Sequence, residues 1–329
     1  MKTIPWRGAI GLALTILLLW WVFYDVDWAE VRADLRAADP LLFAVSVVLA
    51  TAIFPLRAFR WRPILDPISP KVPYGPLWRA TAVGMMANTT LPARAGELVR
   101  AYMLTRETTI PFSAAFASLV VDRVFDGVVV LLLMVLAMFH PSFPAGVSRM
   151  AFAGTGVILI LAVGLGLYAI VSFPDKLIRL YELFARRVAP RFEERGRAML
   201  RSFAEGLSVL RHPGRFLVVF AWALLLWLVQ ALAFWIGFRS FGIHVPFAAA
   251  LLIQGMIVIG VAAPSTPGFF GPFEAAAKTG LKLYGVDESL AVAWALSYHV
   301  VSLLPITVIG LYYLARSGLK LGELKTIGR

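Results

Sequence analysis

NTTLPARAGE, residues 88–97, interrupts one apolar stretch of the chain, and STPGFFGPFE, residues 265–274, interrupts another. Each has a Thr shortly before a Pro, a Gly four residues after that Pro, and a Glu within three residues of the Gly. Helix breaks and carboxylates are costly in hydrocarbon, because a freed backbone group finds no water there. They are tolerated where protein or a wet cavity surrounds them, so the duplicated break predicts a polar site at an internal repeat.

The composition is that of a polytopic membrane protein. Of the 329 residues, 60% are hydrophobic and 15% are charged, and several apolar runs reach the roughly 20 residues needed to cross a bilayer. The absence of Cys excludes disulfides and thiolate chemistry. The four His residues are too scattered for a metal site: they are His140, His212, His244 and His299. No metal or other cofactor is expected.

Six full membrane spans are predicted, at residues 8–24, 41–56, 113–139, 151–173, 216–241 and 289–314. The first ends in WWVFYD, without the small residues that signal peptidase needs, so we interpret it as an uncleaved span. The two broken segments, residues 77–104 and 246–284, are interpreted as re-entrant helical hairpins of opposite orientation. The predicted fold is therefore an all-α polytopic membrane protein with about six full transmembrane helices and two re-entrant hairpins.

The distribution of basic residues favours this topology. With six spans, both termini are cytoplasmic and 24 of the 31 Lys and Arg residues lie inside. A full crossing by residues 77–91 would instead place the ten basic residues of segment 174–215 outside, against the positive-inside rule. Segment 174–215 itself is predicted to be a cytoplasmic amphipathic linker on the anionic inner leaflet. The repeat units are expected at residues 41–173 and 216–316, within a single membrane domain of residues 1–329.

Three charges lie within one otherwise apolar span. Asp122 and Asp126 are one helical turn apart, and Arg123 is beside them. A charge at the bilayer centre costs about 2.5–3.5 kcal/mol, so all three need partners. One interpretation is a structural ion-pair cluster near the cytoplasmic end, close to Arg94 and Arg100. The other is a phosphate site in which the two aspartates hold Arg123.

The first break is followed by alternating charges. Arg94, Glu97 and Arg100 are spaced by three residues, so one helix face can carry plus, minus, plus. Two guanidiniums that converge on a pocket suit a phosphate, which each binds through a planar fork; the alternative is a pair of arginines at the membrane interface. The polar residues of the two breaks are assigned to the same substrate-binding site: Asn88, Thr90, Ser265 and Thr266.

Glu274 follows the second break and lies deeper in apolar sequence. We predict that it is a proton or cation site, or that it binds a cationic head group; the alternative is a simple ion pair with Lys278, one turn on. Tyr298 and His299, in the last span, suggest a proton relay with Glu274. The alternative there is a histidine with a purely structural hydrogen bond.

Three segments together resemble a known family. They are residues 88–100 with Tyr102, VDRVFD at residues 121–126, and PSTPG at residues 264–268 continuing to FEAA at residues 273–276. Over nearly its whole length the chain resembles the flippase-like membrane proteins related to the transmembrane domain of lysylphosphatidylglycerol synthase, including their hopanoid-associated branch. The resemblance implies movement of a lipid or lipid-linked head group between leaflets. Some relatives carry an aminoacyltransferase domain that this sequence lacks, so synthesis of an aminoacyl lipid is not expected.

The expected protein is thus a multi-pass lipid translocator of the bacterial inner (plasma) membrane that works by alternating access. Its expected partner is an anionic or lipid-linked membrane lipid, and no nucleic acid, because the charge of +12 follows the membrane topology. One alternative is an intramembrane phosphatase or transferase that uses Asp122, Arg123 and Glu274, although no nucleophile–base pair or nucleotide loop is recognisable. Another is a non-transporting partner of a lipid-modifying enzyme.

Overall fold

The structure is a computed structural model that describes residues 6–24, 26–91, 95–144, 213–262 and 267–319, with isolated positions between residues 145 and 212. Over these residues the chain forms α-helices and one short 3-10 turn, Pro267–Phe269, and no strand. Three predicted site residues lie outside the described part: Arg94, Ser265 and Thr266. The predicted span at 151–173 and the linker at 174–215 lie almost entirely outside it too.

The described helices, numbered in chain order, are α1 (Trp6–Phe23), α2 (Trp28–Ala37), α3 (Pro40–Leu65), α4 (Tyr74–Thr90), α5 (Gly96–Glu107), α6 (Phe112–Met138), α7 (Pro213–Ser240), α8 (Phe247–Ala262), α9 (Pro272–Leu283) and α10 (Glu288–Arg316). Side-chain caps begin several of them. The carboxylate of Asp39 accepts hydrogen bonds from the amides of Leu41 and Leu42 at the start of α3, and Asp287 does the same for α10.

Helices α3 to α10 fall into two consecutive sets of four. The lengths in the first set are 26, 17, 12 and 27 residues, and those in the second are 28, 16, 12 and 29 residues. The neighbours are equivalent as well, since α3 packs on α7, α4 packs on α10, and α8 packs on α6. Each set therefore consists of a long helix, two short helices and a second long helix. Helices of one set pack against helices of the other.

Three described helices, α3, α7 and α10, are long and apolar enough to cross a bilayer. Helix α6 is as long, at 27 residues, but contains Asp122, Arg123 and Asp126. The predicted spans at 8–24, 113–139, 216–241 and 289–314 coincide with α1, α6, α7 and α10 to within three residues at each end. The chain is thus a helical protein with apolar helices of membrane-spanning length.

The predicted end of the second span at residue 56 is wrong. Helix α3 continues to Leu65, through Pro55 and Pro63. Its extra turns carry Arg57 and Arg60, which the charge distribution places in a cytoplasmic loop but which are buried in the structure. Arginine inside an apolar helix is stable only when it is paired, and carboxylates from α6 supply that pairing.

Each pair of short helices forms a tight hairpin. A Cβ atom on Gly84 of α4 would lie 2.8 Å from the carbonyl oxygen of Gly96 and 2.7 Å from the Cβ of Arg100, both in α5. In the second hairpin, a Cβ on Gly260 of α8 would lie 3.2 Å from the carbonyl oxygen of Pro272, the first residue of α9. A residue without a side chain lets each hairpin close.

The first hairpin meets the described part of the second break. Asn88 Oδ1 accepts a hydrogen bond of 2.9 Å from the Gly96 amide, which bridges the break between α4 and α5. The end of α4 packs against the 3-10 turn of the second break, where the Thr89 carbonyl oxygen lies 3.7 Å from the Cβ position of Gly268. The hydroxyls of Thr89 and Thr307 are 3.2 Å apart, so α10 also joins this contact.

Candidate functional site

A buried network of arginines and carboxylates lies where α3, α5, α6 and α7 meet, and Asp126 is its centre. Arg57 Nη1 lies 2.7 Å from Asp126 Oδ2, and Arg60 Nη1 lies 2.6 Å from Asp126 Oδ1. Trp227 donates a third hydrogen bond, of 2.9 Å, from its indole nitrogen. One carboxylate on α6 is therefore held by donors from α3 and α7, and it ties those three helices together.

Asp122, one turn before Asp126, binds two arginines. Arg60 Nη2 lies 2.7 Å from Asp122 Oδ1, and Arg100 Nη1 lies 3.4 Å from Asp122 Oδ2. All three side chains are fully buried. Arg60 thus uses its two terminal nitrogens on two different aspartates, which the planar geometry of a guanidinium allows.

Arg123 lies at the exposed rim of the network. Its Nη1 lies 3.0 Å from Asp126 Oδ2 and its Nη2 lies 2.5 Å from Glu97 Oε1. The side chain is 40% exposed. The expectation that both aspartates hold Arg123 is wrong for Asp122, because Asp122 pairs with Arg60 and Arg100 instead. Glu97 likewise contacts Arg123, from the first turn of α5.

Among the described residues, the network contains one more positive charge than negative. Its four guanidiniums and three carboxylates, Arg57, Arg60, Arg100, Arg123, Glu97, Asp122 and Asp126, give a formal charge of +1. Arg100 is the arginine with the weakest pairing: its ion pair is 3.4 Å long, and its Nε and Nη2 have no hydrogen-bond partner among the described residues. Its guanidinium carbon lies 4.2 Å above the Trp61 ring, a cation–π contact that offsets part of the burial cost.

The polar residues of the first break serve the hairpin bend. Asn88 accepts the Gly96 amide, and the Thr90 hydroxyl donates to the carbonyl of Met86 at 3.0 Å. These contacts are local and do not join either residue to the arginine network. The substrate-binding role assigned to Asn88 and Thr90 therefore stays a prediction, and the structure gives each a structural partner.

A second buried acid–base pair lies in the other set of helices. Glu274 Oε1 lies 2.6 Å from His299 Nδ1, and Glu274 Oε2 accepts a hydrogen bond of 2.7 Å from the Gly271 amide. The side chains of Glu274 and His299 are 0% and 4% exposed. The His299 ring lies against Phe270 and Phe273, with centroids 4.7 and 4.2 Å away.

The alternative of a Glu274–Lys278 ion pair is wrong. Lys278 Nζ lies 2.6 Å from Glu288 Oε2 and donates to the Val22 carbonyl at 3.2 Å. Tyr298 does not extend the predicted relay in this geometry, because its hydroxyl accepts a hydrogen bond from Gln230 at 3.1 Å on α7. Within the described residues, no group of three or more His, Asp or Glu side chains is arranged to hold a metal ion.

Comparison with known proteins places the whole architecture in a family. The model of the lysylphosphatidylglycerol synthase TM region matches residues 8–310. The chain belongs to this family. A UPF0104 membrane protein of Methanothermobacter thermautotrophicus is 26% identical over 96% of this chain and 97% of its own length. The UPF0104 membrane protein PH1989 of Pyrococcus horikoshii is 24% identical over 92% of this chain and 93% of its own.

A partial relative carries an enzyme name. Glycosyltransferase AglD of Haloferax volcanii is 40% identical over 116 residues, which is 35% of this chain. That match spans only 19% of AglD. The similarity therefore concerns a segment of each protein, and it is higher than the full-length identity to the UPF0104 relatives.

Sequence reasoning missed two of the four network arginines in this member of the lysylphosphatidylglycerol synthase TM family. Arg57 and Arg60 form ion pairs with Asp126. Both follow Pro55, which suggests the end of a span. The signal that could have found them is the spacing of three residues, which places both on one helix face. The two aspartates of α6 also required basic partners from another helix.

Proposed function

We propose that this family member moves a lipid or lipid-linked head group between the leaflets of the plasma membrane, and that the arginine network binds its phosphate. The observation that carries the proposal is the buried surplus charge of +1, with Arg100 as its least paired member. Buried charge is retained where it is compensated, so a site with one surplus cation is complementary to a monoanion. A phosphodiester carries one negative charge.

The chemistry of the arginines suits a phosphate ligand. A guanidinium presents its donors in a planar fork that matches two oxygens of a phosphate. Arg100 has two such donor positions without a partner among the described residues, and Arg123 offers an exposed flank at the rim. The family description supports the same ligand class, since phosphatidylglycerol is itself a phosphodiester.

The helix arrangement supports alternating access. We propose that the chain contains two inverted repeat units, at residues 41–173 and 216–316. They correspond to the two sets of four helices, with the predicted span 151–173 added to the first unit, and their hairpins enter the membrane from opposite sides without crossing it. Broken helices that meet at the interface of two such units are the usual setting of a transporter site. The proposed topology keeps both termini and the linker 174–215 in the cytoplasm, because the basic residues then lie inside.

A second candidate function is group transfer to a lipid. The observation that favours it is the 40% identity of a 116-residue segment to a protein named a glycosyltransferase. The buried Glu274–His299 pair would then supply the acid–base chemistry. A third candidate, an accessory role beside a lipid-modifying enzyme, rests on the family's association with a synthase.

The proposal is tested by reconstituting the protein into vesicles with a fluorescent phosphatidylglycerol and measuring how much label an impermeant quencher reaches. Arg100→Lys keeps the charge but removes the fork, so we expect the translocation rate to fall about tenfold or more, with little loss of folded protein. Arg79→Lys is the matched control. Arg79 also forms a bidentate pair, with Glu107, but its side chain is 41% exposed and outside the network.

Chromatography of the recovered lipid separates the candidates. Intact lipid that has become accessible to the quencher indicates translocation, whereas a changed head group indicates an enzyme. Equal translocation by Arg100→Lys and the parent would refute the phosphate role of Arg100. Absence of both movement and chemical change with several phosphodiester lipids would favour the accessory role.

A further inference from the structure

An apolar groove lies where α2, α3, α7 and α10 meet, and we call it the α2 groove. Its volume is about 430 Å³. The lining includes Leu35 of α2, Phe43 of α3, Phe241 just after α7, and Val300 of α10. Leu35 and Val300 are 46% and 45% exposed, so the groove is open along one side.

The lining of the α2 groove suits a hydrocarbon chain. Ser297 is the only polar side chain among its described lining residues, and its hydroxyl donates to the Ala293 carbonyl at 2.6 Å. A polar ligand group would find no partner there, whereas a chain gains van der Waals contacts along the whole lining. The volume lies in the range of small-ligand sites, about 300–1,000 Å³. The groove therefore has the chemistry of a site for a lipid chain.

The charged residues of α2 are separated onto two edges of the helix. At about 100° per residue, Arg32 and Arg36 lie roughly 60° and 100° to one side of Leu35. Asp34 and Glu30 lie roughly 100° and 140° to the other side. Helix α2 thus carries a basic edge, Arg32 and Arg36, and an acidic edge, Glu30 and Asp34, on either side of a residue that lines the groove.

The acidic edge faces the start of α10. Partial burial and the negative charge of Asp287, the N-cap of α10, raise the pKa of Asp34. Asp34 is thus close to the first turn of α10, whose free amides carry a partial positive charge that stabilises a nearby carboxylate. The basic edge is on the other side of Leu35, away from Asp287.

The basic edge is unpaired. Arg32 and Arg36 are exposed, and neither side chain forms an ion pair or hydrogen bond with any residue that the structure describes. Arg79 is the contrasting case, since it is also exposed but is bound to Glu107. In the proposed topology α2 links two spans at the outer surface, where the positive-inside rule disfavours arginine. Two unpaired guanidiniums there are complementary to an anionic head group, whose phosphate each can bind through its planar fork.

The α2 groove lies at one end of the spans α3 and α7. Pro40, the first residue of α3, is part of its lining. The amide of Asp39 donates to the carbonyl of Ser240, the last residue of α7, at 2.7 Å. The groove continues along residues 296–301 of α10, and Arg36 lies at its α2 end. The carboxylate of Asp39 does not compete for the arginines, because it caps α3.

We propose that the α2 groove and the basic edge of α2 bind one anionic phospholipid, with an acyl chain in the groove and the phosphate on Arg32 and Arg36. In the proposed topology this lipid belongs to the outer leaflet. The site shares no residue with the buried arginine network. The inference therefore goes beyond the proposed function and does not depend on lipid movement.

A fluorophore at the end of the groove farther from α2 can report the chain in this Cys-free protein. Leu304→Cys, labelled with bimane, is one turn beyond Val300 on the same helix face, is 54% exposed and does not line the groove. The protein is placed in phosphatidylcholine nanodiscs that contain a small fraction of a lipid with a nitroxide on its acyl chain. Quenching is compared between nitroxide phosphatidylglycerol and nitroxide phosphatidylcholine, which have the same chains and differ in head-group charge. Leu225→Cys, on α7 and 45% exposed, is the matched reporter outside the groove.

At residue 304 we expect phosphatidylglycerol to quench at concentrations about fivefold or more below those of phosphatidylcholine, because two arginines near a membrane surface attract an anionic lipid. At residue 225 the two lipids should quench equally. Arg32→Gln combined with Arg36→Gln should remove the preference at residue 304, and high salt should weaken it because exposed charges are screened. Arg316→Gln is the matched charge control. Arg316 is also exposed but lies at the other end of α10, so the preference should remain.

Val300→Phe tests the chain separately from the head group. The larger side chain occupies the groove, so quenching by phosphatidylglycerol at residue 304 should fall to the level of phosphatidylcholine although both arginines are intact. Equal quenching by the two lipids in the parent, a preference that survives in the double arginine variant or in Val300→Phe, or the same preference at residue 225 would overturn the inference. Arg32, Arg36 and Val300 are exposed, so their substitution leaves the folded core unchanged, which melting temperatures check. Quenching measures binding at equilibrium, so its result neither requires nor refutes lipid translocation.

Discussion

Asp126 shows how a charged residue becomes part of a membrane protein's core. Its carboxylate receives Arg57, Arg60, Arg123 and Trp227, from three helices including its own. Any one of these pairs alone would leave a buried charge only partly compensated, whereas together they satisfy both oxygens. The residue therefore has a structural role that is separate from the ligand binding proposed for Arg100.

At the residue scale we predict that Asp126→Asn destabilises the fold more than Arg100→Lys does. The amide cannot balance Arg57 and Arg60, which stay buried, and breaking a buried ion pair costs about 3–5 kcal/mol. Thermal unfolding in detergent, followed by tryptophan fluorescence, measures the difference. Melting temperatures that fall equally in the two variants would contradict this separation of roles.

At the element scale, the hairpins depend on positions where only hydrogen fits. The approach of α4 to α5 places Gly84 against Gly96 and Arg100, so any side chain at residue 84 displaces the helix that carries Arg100 and Glu97. Packing of the hairpin and the geometry of the arginine network are thus coupled. A one-carbon change in α4 thus reaches the proposed ligand site through the backbone of α5 and the Cβ of Arg100.

We therefore predict that Gly84→Ala lowers the free energy of unfolding by about 1–3 kcal/mol, because the added methyl group overpacks the hairpin. The translocation rate should fall as well. Gly127→Ala in α6 is the control, because its Cβ would meet nothing within 4 Å and alanine is the better helix former. The same unfolding and vesicle assays measure both variants. Gly84→Ala with the parent's stability would show that the hairpin adjusts freely.

At the scale of the whole molecule, topology follows from charge. We predict that a cysteine introduced at residue 195, within the basic linker, is labelled from the cytoplasmic side only, because the ten basic residues of 174–215 favour that side. Inside-out and right-side-out vesicles with an impermeant reagent provide the measurement. Labelling from the outer side would require a different number of spans.

The sequence predicts the long helices well because each is a long apolar run, and it predicts the hairpins because Pro and Gly punctuate them. Prediction from sequence fails where ion pairs between helices offset the local cost of a proline or of a buried charge. Helix α3 continues past Pro55 to deliver Arg57 and Arg60 to α6. Lys278 pairs with Glu288 on the next helix and not with its neighbour Glu274. Partner choice among buried charges depends on three-dimensional proximity, which spacing along one helix does not contain.

The contact between the first hairpin and the second break has an electrical consequence. Thr89 lies against Gly268 and Thr307, so the end of α4 is in direct contact with the 3-10 turn of the second break and with α10. A bacterial membrane is held at a voltage, worth about 2.3 kcal/mol per elementary charge for each 100 mV. A passage open at both ends would dissipate that energy as an ion leak. If both hairpins enter the membrane as proposed, the contact of the end of α4 with the 3-10 turn of the second break would close such a passage to ions.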